Sequence, residues 1–344
     1  MKCFLALLLL IGTSAALFAQ GSLTPPGAPA PMMKTLQQVE PRIPISAPGL
    51  VITNPGSYYV TTNIIAASGH GIQILTNNVT VDLNGFMLQG TGASAGVAVP
   101  GVRTNIVVRN GTIRGFGNGV SAPQVEGSRF EGLHISHNAG TGLRVGSFCA
   151  IYACNVYTNT GIGVQAQMGA QIADCVVALN GFGGIDVFQT AIIRNCTVRG
   201  NVGTGIAANS GCVITDCVAE FNAGNGITID RGVVRNCTAR GNMLNGIDAF
   251  INCQIIGNHC LENGNGGDGA GINSGVGGHR IEGNNVASND RGIDCNPSTG
   301  NLIIRNSAQS NVPDYDVAAG NTMGPIVNNG TIGTSNNPHA NYSY

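Results

Sequence analysis

Two carboxylates, Asp230 and Asp248, sit in two versions of one short phrase, "GITID" and "GIDAF". Each phrase opens with Gly and an aliphatic residue. On neighbouring parallel strands the two would differ by one rung (~4.8 Å) and two strand positions (~6.6 Å), which puts their Cα atoms ~8 Å apart. Inverting glycosidases hold their acid and base carboxyls ~6.5–9.5 Å apart, so this spacing suits that chemistry. Asp186 and Asp248 lie three rungs apart, ~14 Å, too far to flank one bond. The same phrases supply two outward rows. The first is Arg144, Gln165, Asp186, Ala207, Thr228, Asp248, Asn273 and Asp294; the second is Gly146, Gln167, Phe188, Asn209, Asp230, Phe250, Gly275 and Asn296. Phe188 and Phe250 flank a strip of carboxylates, amides and hydroxyls. Sugars offer an apolar face and a rim of hydroxyls, and this mixture matches both. Asp186, Phe188, Asn209, Phe250 and Asp294 are therefore the expected glycan contacts, with Asp230 and Asp248 as the acid/base pair if the glycan is cleaved. Outward residues of any soluble rod are also polar, so the rows alone do not separate recognition from solvation.

The elements that must position these residues are legible as a repeat. Gly followed by an aliphatic residue recurs at Gly142, Gly163, Gly184, Gly205, Gly226, Gly246, Gly271 and Gly292, in steps of 21, 21, 21, 21, 20, 25 and 21. Gly71, Gly96 and Gly119 extend the series upstream with looser steps. A second column holds Asn138, Asn159, Asn180, Asn201, Asn222, Asn242, Asn263, Asn289 and Asn311. A third holds Cys154, Cys175, Cys196, Cys217 and Cys237, continued by Asn258, Asn284 and Asn306. Between the markers run period-2 pieces of three to five residues, rich in β-branched side chains, with no helical period. Three short strands per 21-residue unit form one coil of a parallel β-helix, which buries its apolar side only by stacking on the next coil. The expected fold is all-β: a single-stranded parallel β-helix solenoid of about eleven coils over residues 49–311, with a cap and tail over 312–344. Ile193 and its equivalents form an inward ladder. The Cys row is expected to point inward as buried thiols, since parallel Cβ vectors one rung apart leave Cβ atoms wider than the ~3.8 Å a disulfide prefers. The Asn row is expected where the chain bends, in left-handed conformations, with its amides bonded along the rod.

Bulk composition excludes some functions. Charged residues are only 10%, the net charge is −1, and Lys34 is the one lysine after the first nineteen residues, so there is no basic footprint for nucleic acid. Residues 1–19 read as a signal peptide: Lys2, then "FLALLLLIGTSAALFA", with Ala19 before the cleavage point. Residues 20–48 read as a Pro-rich linker. No later stretch is long and apolar enough to span a bilayer. The protein is expected in the periplasm, outside the cell or on its surface. The sequence sets no oligomeric state.

The phrases "GSYYVTTNI", "NNVTVDLNGFMLQG", "TNIVVRNGTIRGFGNGV", the "NGI…RNCTVRGN" coils and the closing "YDVAAGNTMGPIV" and "HANYSY" resemble the secreted right-handed parallel β-helix proteins with pectate-lyase-like repeats. The likeness is strongest to a subgroup of planctomycete and verrucomicrobial type, and it covers nearly the whole mature chain. It implies a right-handed coil. The wider fold family includes pectate lyases, polygalacturonases, epimerases, tailspikes and adhesins, and fold does not fix which of these roles applies. Of the polygalacturonase motifs only Gly69-His70-Gly71 is present, in a coil where it reads as repeat drift. Pectate-lyase-type elimination uses Ca²⁺ carboxylates and an Arg or Lys base, and Lys is missing from the coils. "GNGGDGAG" (264–271) resembles half of a calcium nonapeptide, but it occurs once and falls where one step is 25 residues long, so it reads as an insertion loop. No cofactor and no metal site are expected, Ca²⁺ having no complete motif. Binding of a polysaccharide or cell-surface glycan is the expected role. The alternatives are a non-catalytic adhesive spacer, and an inverting glycoside hydrolase or polysaccharide lyase.

Overall fold

The computed structural model describes residues 40–344. The expected signal peptide and residues 20–39 of the expected linker lie outside the described residues. From Arg42 to Tyr344 the chain forms one unit, in which every strand pairing is parallel. Each coil lays down three short strands. In one coil these are Ile185–Val187 on a first face, Ile192–Arg194 on a second and Thr197–Arg199 on a third. Each pairs with its equivalent one coil later: Ile185 with Ile206, Ile192 with Val213 and Thr197 with Val218. Thirteen first-face strands stack in chain order, so there are about thirteen coils where the Gly markers give eleven. The two extra lie at the ends. Leu50–Ile52 precedes the first marker counted, and Tyr315–Val317 follows Asp314, which stands where other coils have Gly.

The ends differ from expectation in two further ways. Ile43–Ile45, inside the expected linker, is a strand that pairs with Gly56–Val60. It is an edge strand, where Pro44 costs no ladder hydrogen bond. At the other end the expected tail returns to the rod. Asn341–Ser343 adds to Ser307–Gln309 on the third face and also pairs with Ile326–Val327.

The alternation places Ile185, Val187, Ile193 and Val198 inside, each buried. Their equivalents build one continuous core from Ile45 to Ala308. Each fully buried Val or Ile contributes about 1.5–3 kcal/mol, so the interior rows drive the stacking.

The corners carry the polar ladders. Asn180 Nδ2 donates to Asn201 Oδ1 (3.0 Å), and Asn201 Nδ2 donates to Asn222 Oδ1 (3.0 Å). From Asn159 onward each Asn Oδ1 also accepts the backbone N–H of the preceding ladder Asn, and each Nδ2 reaches a carbonyl of the coil before (Asn201 to Val177, 3.3 Å). The ladder Asn residues are buried. They are not the left-handed residues expected: the sharp turn falls one position earlier, at Gly200 (φ 63°), Leu179 (φ 54°) and Phe221 (φ 54°). Asn195 and Asn236, at the second-to-third corner, are left-handed (φ 52° and 54°). The ladder also explains the Gly marker. A Cβ on Gly205 would lie 2.6 Å from Asn222 Nδ2 and 2.6 Å from the Gly226 carbonyl.

The Cys row follows the same rule with a weaker donor. Cys196 Sγ points to the carbonyls of Arg194 (3.2 Å) and Ile172 (3.8 Å), the second one coil back, as an Asn amide would. Where the row changes to Asn, Cys237 N–H donates to Asn258 Oδ1 (2.9 Å), and the ladder runs on through Asn284 and Asn306 to Asn341. All ten cysteines of the described residues are free and buried. Burial pushes Cys149 up to about 11 and Cys295 to about 12, which keeps both as neutral thiols.

Candidate carbohydrate-binding face

The outward row of the first face is a true column. Gln165, Asp186, Ala207, Thr228, Asp248, Asn273, Asp294 and Asp316 pair rung to rung in that order. Arg144 precedes Gln165. Where most interior columns repeat one chemical type, this one changes at almost every step.

Its side chains are cross-linked by amides. Gln165 Nε2 donates to Asp186 Oδ2 (3.3 Å). Asp248 accepts from Asn225 Nδ2 at 3.2 Å on Oδ2 and from Asn273 Nδ2 at 2.7 Å on Oδ1. Asn225 also donates to Thr228 Oγ1 (3.2 Å). Asp294 differs from expectation: it is only 5% exposed. Arg291 covers it with a 2.7 Å ion pair, and its other oxygen accepts the Asn296 N–H (3.0 Å). Arg291 also meets Asp268 (2.8 Å) and Asp316 (3.9 Å). The hydrogen bond it donates to Asp294 is the main reason the Arg291 guanidinium is held above its ordinary range.

The second outward row lies just past the strand ends at Phe188, Asn209 and Asp230, and inside the longer strand Ile247–Ile251 at Phe250. The backbone N–H groups of Phe188, Asn209 and Asp230 each donate one coil back, to Ala166, Val187 and Ala208. Phe188, Asn209, Asp230 and Phe250 thus occupy four consecutive coils, with Phe188 53% and Phe250 55% exposed. Asp230 Oδ2 is tied to Arg231 Nη1 at 2.6 Å, while its Oδ1 is buried without a hydrogen-bond partner. The register places Thr228 opposite Asp248, so Asp230 and Asp248 keep the one-rung, two-position offset read from the sequence. Neither carboxylate is bare: amides hold both oxygens of Asp248, and a guanidinium holds one oxygen of Asp230.

Phe182 is a residue the strand pattern missed. It sits in the loop before the strand Ile185–Val187, on the opposite margin from Phe188, and is 70% exposed. A groove of about 300 Å³ runs beside it, lined by Ile162, Phe182, Asp186, Thr204 and Ala207. A second of about 230 Å³ lies against Phe182 and Val202. The signal was available in the sequence, because "GFGG" places an aromatic where the neighbouring loops read "TGIG" and "VGTG". It lies outside the alternating residues, so strand periodicity passes over it.

Other motifs resolve as scaffold. His70 Nδ1 accepts the Ala95 N–H (3.1 Å), a corner role. In the loop 264–271, the N–H groups of Gly266, Gly267 and Gly269 converge on the Asp290 carboxylate. That is a nest for an anion rather than a cation cage. On the third face Arg199 pairs with Glu220 (3.5 Å) and Arg240 with Glu262 (3.0 Å), with the Phe221 ring between the two guanidiniums. These exposed pairs contribute little each.

The stacked coils, the three faces and the sealed core define a right-handed parallel β-helix protein, and the comparisons agree. A family model described as "Right handed beta helix region" matches residues 48–192. One described as "Periplasmic copper-binding protein (NosD)" matches residues 147–324, just over half of the chain, and the protein belongs to that family. Two solved structures share the fold, both A-modules of mannuronan C-5 epimerases from Azotobacter vinelandii. The AlgE6 module has a TM-score of 0.64 at 14% identity, covering 84% of this chain and 91% of that one. The AlgE4 module has a TM-score of 0.51 at 11% identity, again covering 84% and 91%. No curated protein matches the chain in sequence.

The family description raises the question of copper. Copper sites draw on clustered His, Cys or Met donors open to the ion. Among the described residues no group of three or more His, Cys, Asp or Glu could hold a metal. The thiol row is the nearest approach, but its sulfurs face backbone carbonyls inside the core. His134 and His137, on the third face, contact Asn155 and Thr158. Among the described residues the His and Cys side chains thus assemble no cluster open to copper.

Proposed function

We propose that the protein binds an extracellular polysaccharide along its first face. One observation carries this reading: the exposed Phe182 and the outward carboxylate Asp186 line one groove of about 300 Å³, and a second exposed phenylalanine, Phe188, follows the same strand at its other end. The Phe182 ring can stack on the apolar face of a sugar, while Asp186, Thr204 and the amides of the column receive its hydroxyls. Phe250, three coils on, extends the platform past Asn209. A location outside the cytoplasm is supported by the signal-like N-terminus and by a family described as periplasmic. No helix of the described residues is long and apolar enough to cross a membrane. Affinity electrophoresis in gels cast with plant and bacterial polysaccharides tests the proposal. Retardation of the wild type and its loss in Phe182→Ala support it; no retardation in any gel leaves the spacer role.

The Asp230/Asp248 spacing favours a second reading, inverting hydrolysis. Against it, both carboxylates are already engaged by protein donors, whereas an acid and a base must be free to pass and take a proton. Polysaccharide cleavage by the wild type that disappears in the Asp230→Asn/Asp248→Asn double variant would establish turnover.

A further inference from the structure

We infer, resting on the binding face proposed above, that its ligand is an uncharged polysaccharide and that the face excludes polyuronates by charge. From Gln165 to Asp316 the outward column contains Asp186, Asp248, Asp294 and Asp316 and no cationic side chain. The cations near it are already committed. Arg291 is shared among Asp268, Asp294 and Asp316, and Arg231 is paired with Asp230. Asp186 and Asp248 have only amide partners, Gln165, Asn225 and Asn273. Amides orient a carboxylate without neutralising it. Arg144, the one cation in the column's N-terminal extension, stands two rungs from Asp186, about 10 Å away, at the screening length of ~0.1 M salt.

The stretch between the aromatic margins therefore carries two uncompensated negative charges, three rungs apart. A polyuronate laid along it brings a carboxylate with every sugar. Some of these must approach Asp186 or Asp248 with no guanidinium or ammonium to intervene, and like charges set together suppress the wrong partner. A neutral chain brings only hydroxyls, which donate to the same carboxylates at no Coulomb cost. Mannuronan is itself a polyuronate, so the fold shared with the mannuronan epimerases does not bring their substrate with it.

The test uses the full mature chain in affinity electrophoresis at 50 and 500 mM NaCl. The neutral polymers are galactomannan, xyloglucan and mixed-linkage glucan; the anionic ones are alginate and polygalacturonate. The expected result is retardation by at least one neutral polymer, unchanged between the two salt concentrations, with much weaker retardation by either polyuronate at 50 mM. Asp186→Asn should raise affinity for alginate by about fivefold at low salt, the worth of one like-charge contact in water. Stronger retardation by alginate or polygalacturonate than by the neutral polymers would overturn the inference while leaving the binding face standing. So would an alginate affinity that Asp186→Asn leaves unmoved. Absence of retardation in all five gels would instead remove the binding face itself, and the inference with it.

Discussion

The Asn corner and the outward column of the first face run side by side along the rod, and they obey opposite rules. The corner repeats one residue nine times, from Asn138 to Asn311, because each amide serves two neighbours. It accepts from the coil before and donates to a backbone carbonyl of that coil. The column reads Gln165, Asp186, Ala207, Thr228, Asp248, Asn273, because its side chains face solvent and no packing rule fixes them. Repetition inside one chain thus marks what stacking demands, and variation marks where a ligand can be met. The repeated "RNC" is scaffold; "GFGG" looks like a loop and makes a wall.

The sharpest way to break the comparison is to treat both columns alike. Asn201→Ala strands two buried donors of Asn180 and the Val177 carbonyl, at about 1–3 kcal/mol each with partial relief by relaxation. We expect a loss of about 3–4 kcal/mol in urea unfolding with an unchanged m-value. Asp186→Ala, one strand away, should cost under about 0.5 kcal/mol. Equal losses would mean that the outward column is structural too.

A third corner column sharpens the rule by violating it. Cys253 is followed there by His279, Asn301 and Asn321, each accepting the backbone N–H of the residue before it. His279 does the work of an Asn but can take a proton, and its Nε2 is buried without a partner. Burial lowers it from 6.5 to about 4. As pH falls the unfolded chain takes the proton first, so the contribution of His279 is whole above pH 6.5 and is lost between 6.5 and about 4. The loss amounts to about 3 kcal/mol. His279→Asn keeps the acceptor and should flatten this slope in urea midpoints measured from pH 7 to pH 4. An unchanged slope would show that other groups control acid stability.

The Cys corner tests whether a weaker donor makes a weaker ladder. Cys196→Ala removes thiol contacts to two carbonyls and a small buried volume, so about 1–1.5 kcal/mol is expected, well below the Asn201 variant. A disulfide reagent at pH 8 should find no reactive thiol in the native protein. After unfolding without reductant it should find the ten between Cys149 and Cys295.

These contrasts explain what was legible in the sequence. The fold was, because stacking leaves the same demand at every coil and so writes a period. The coils at the two ends were not, because Asp314 replaces the marker Gly and Pro44 masks an edge strand as linker. On the face, the register of the column could be counted from the repeat, and Asp186, Phe188 and Phe250 stand where the count puts them. The burial of Asp294 could not be counted, since counting by twos puts Arg291 and Asp294 on opposite faces of one strand, whereas the two form an ion pair. Phe182 escaped for another reason: a loop residue has no period to betray it.

The smallest expected effect on stability is also the most informative about function. Phe182 is largely exposed, so Phe182→Ala should move the urea midpoint by less than the equivalent of about 0.5 kcal/mol. Retardation of this variant in a gel of the polysaccharide that best retards the wild type tests the account most directly. The prediction is loss of most of the retardation while folding is intact. Retardation equal to that of the wild type would contradict it, and would move the functional surface away from the first face.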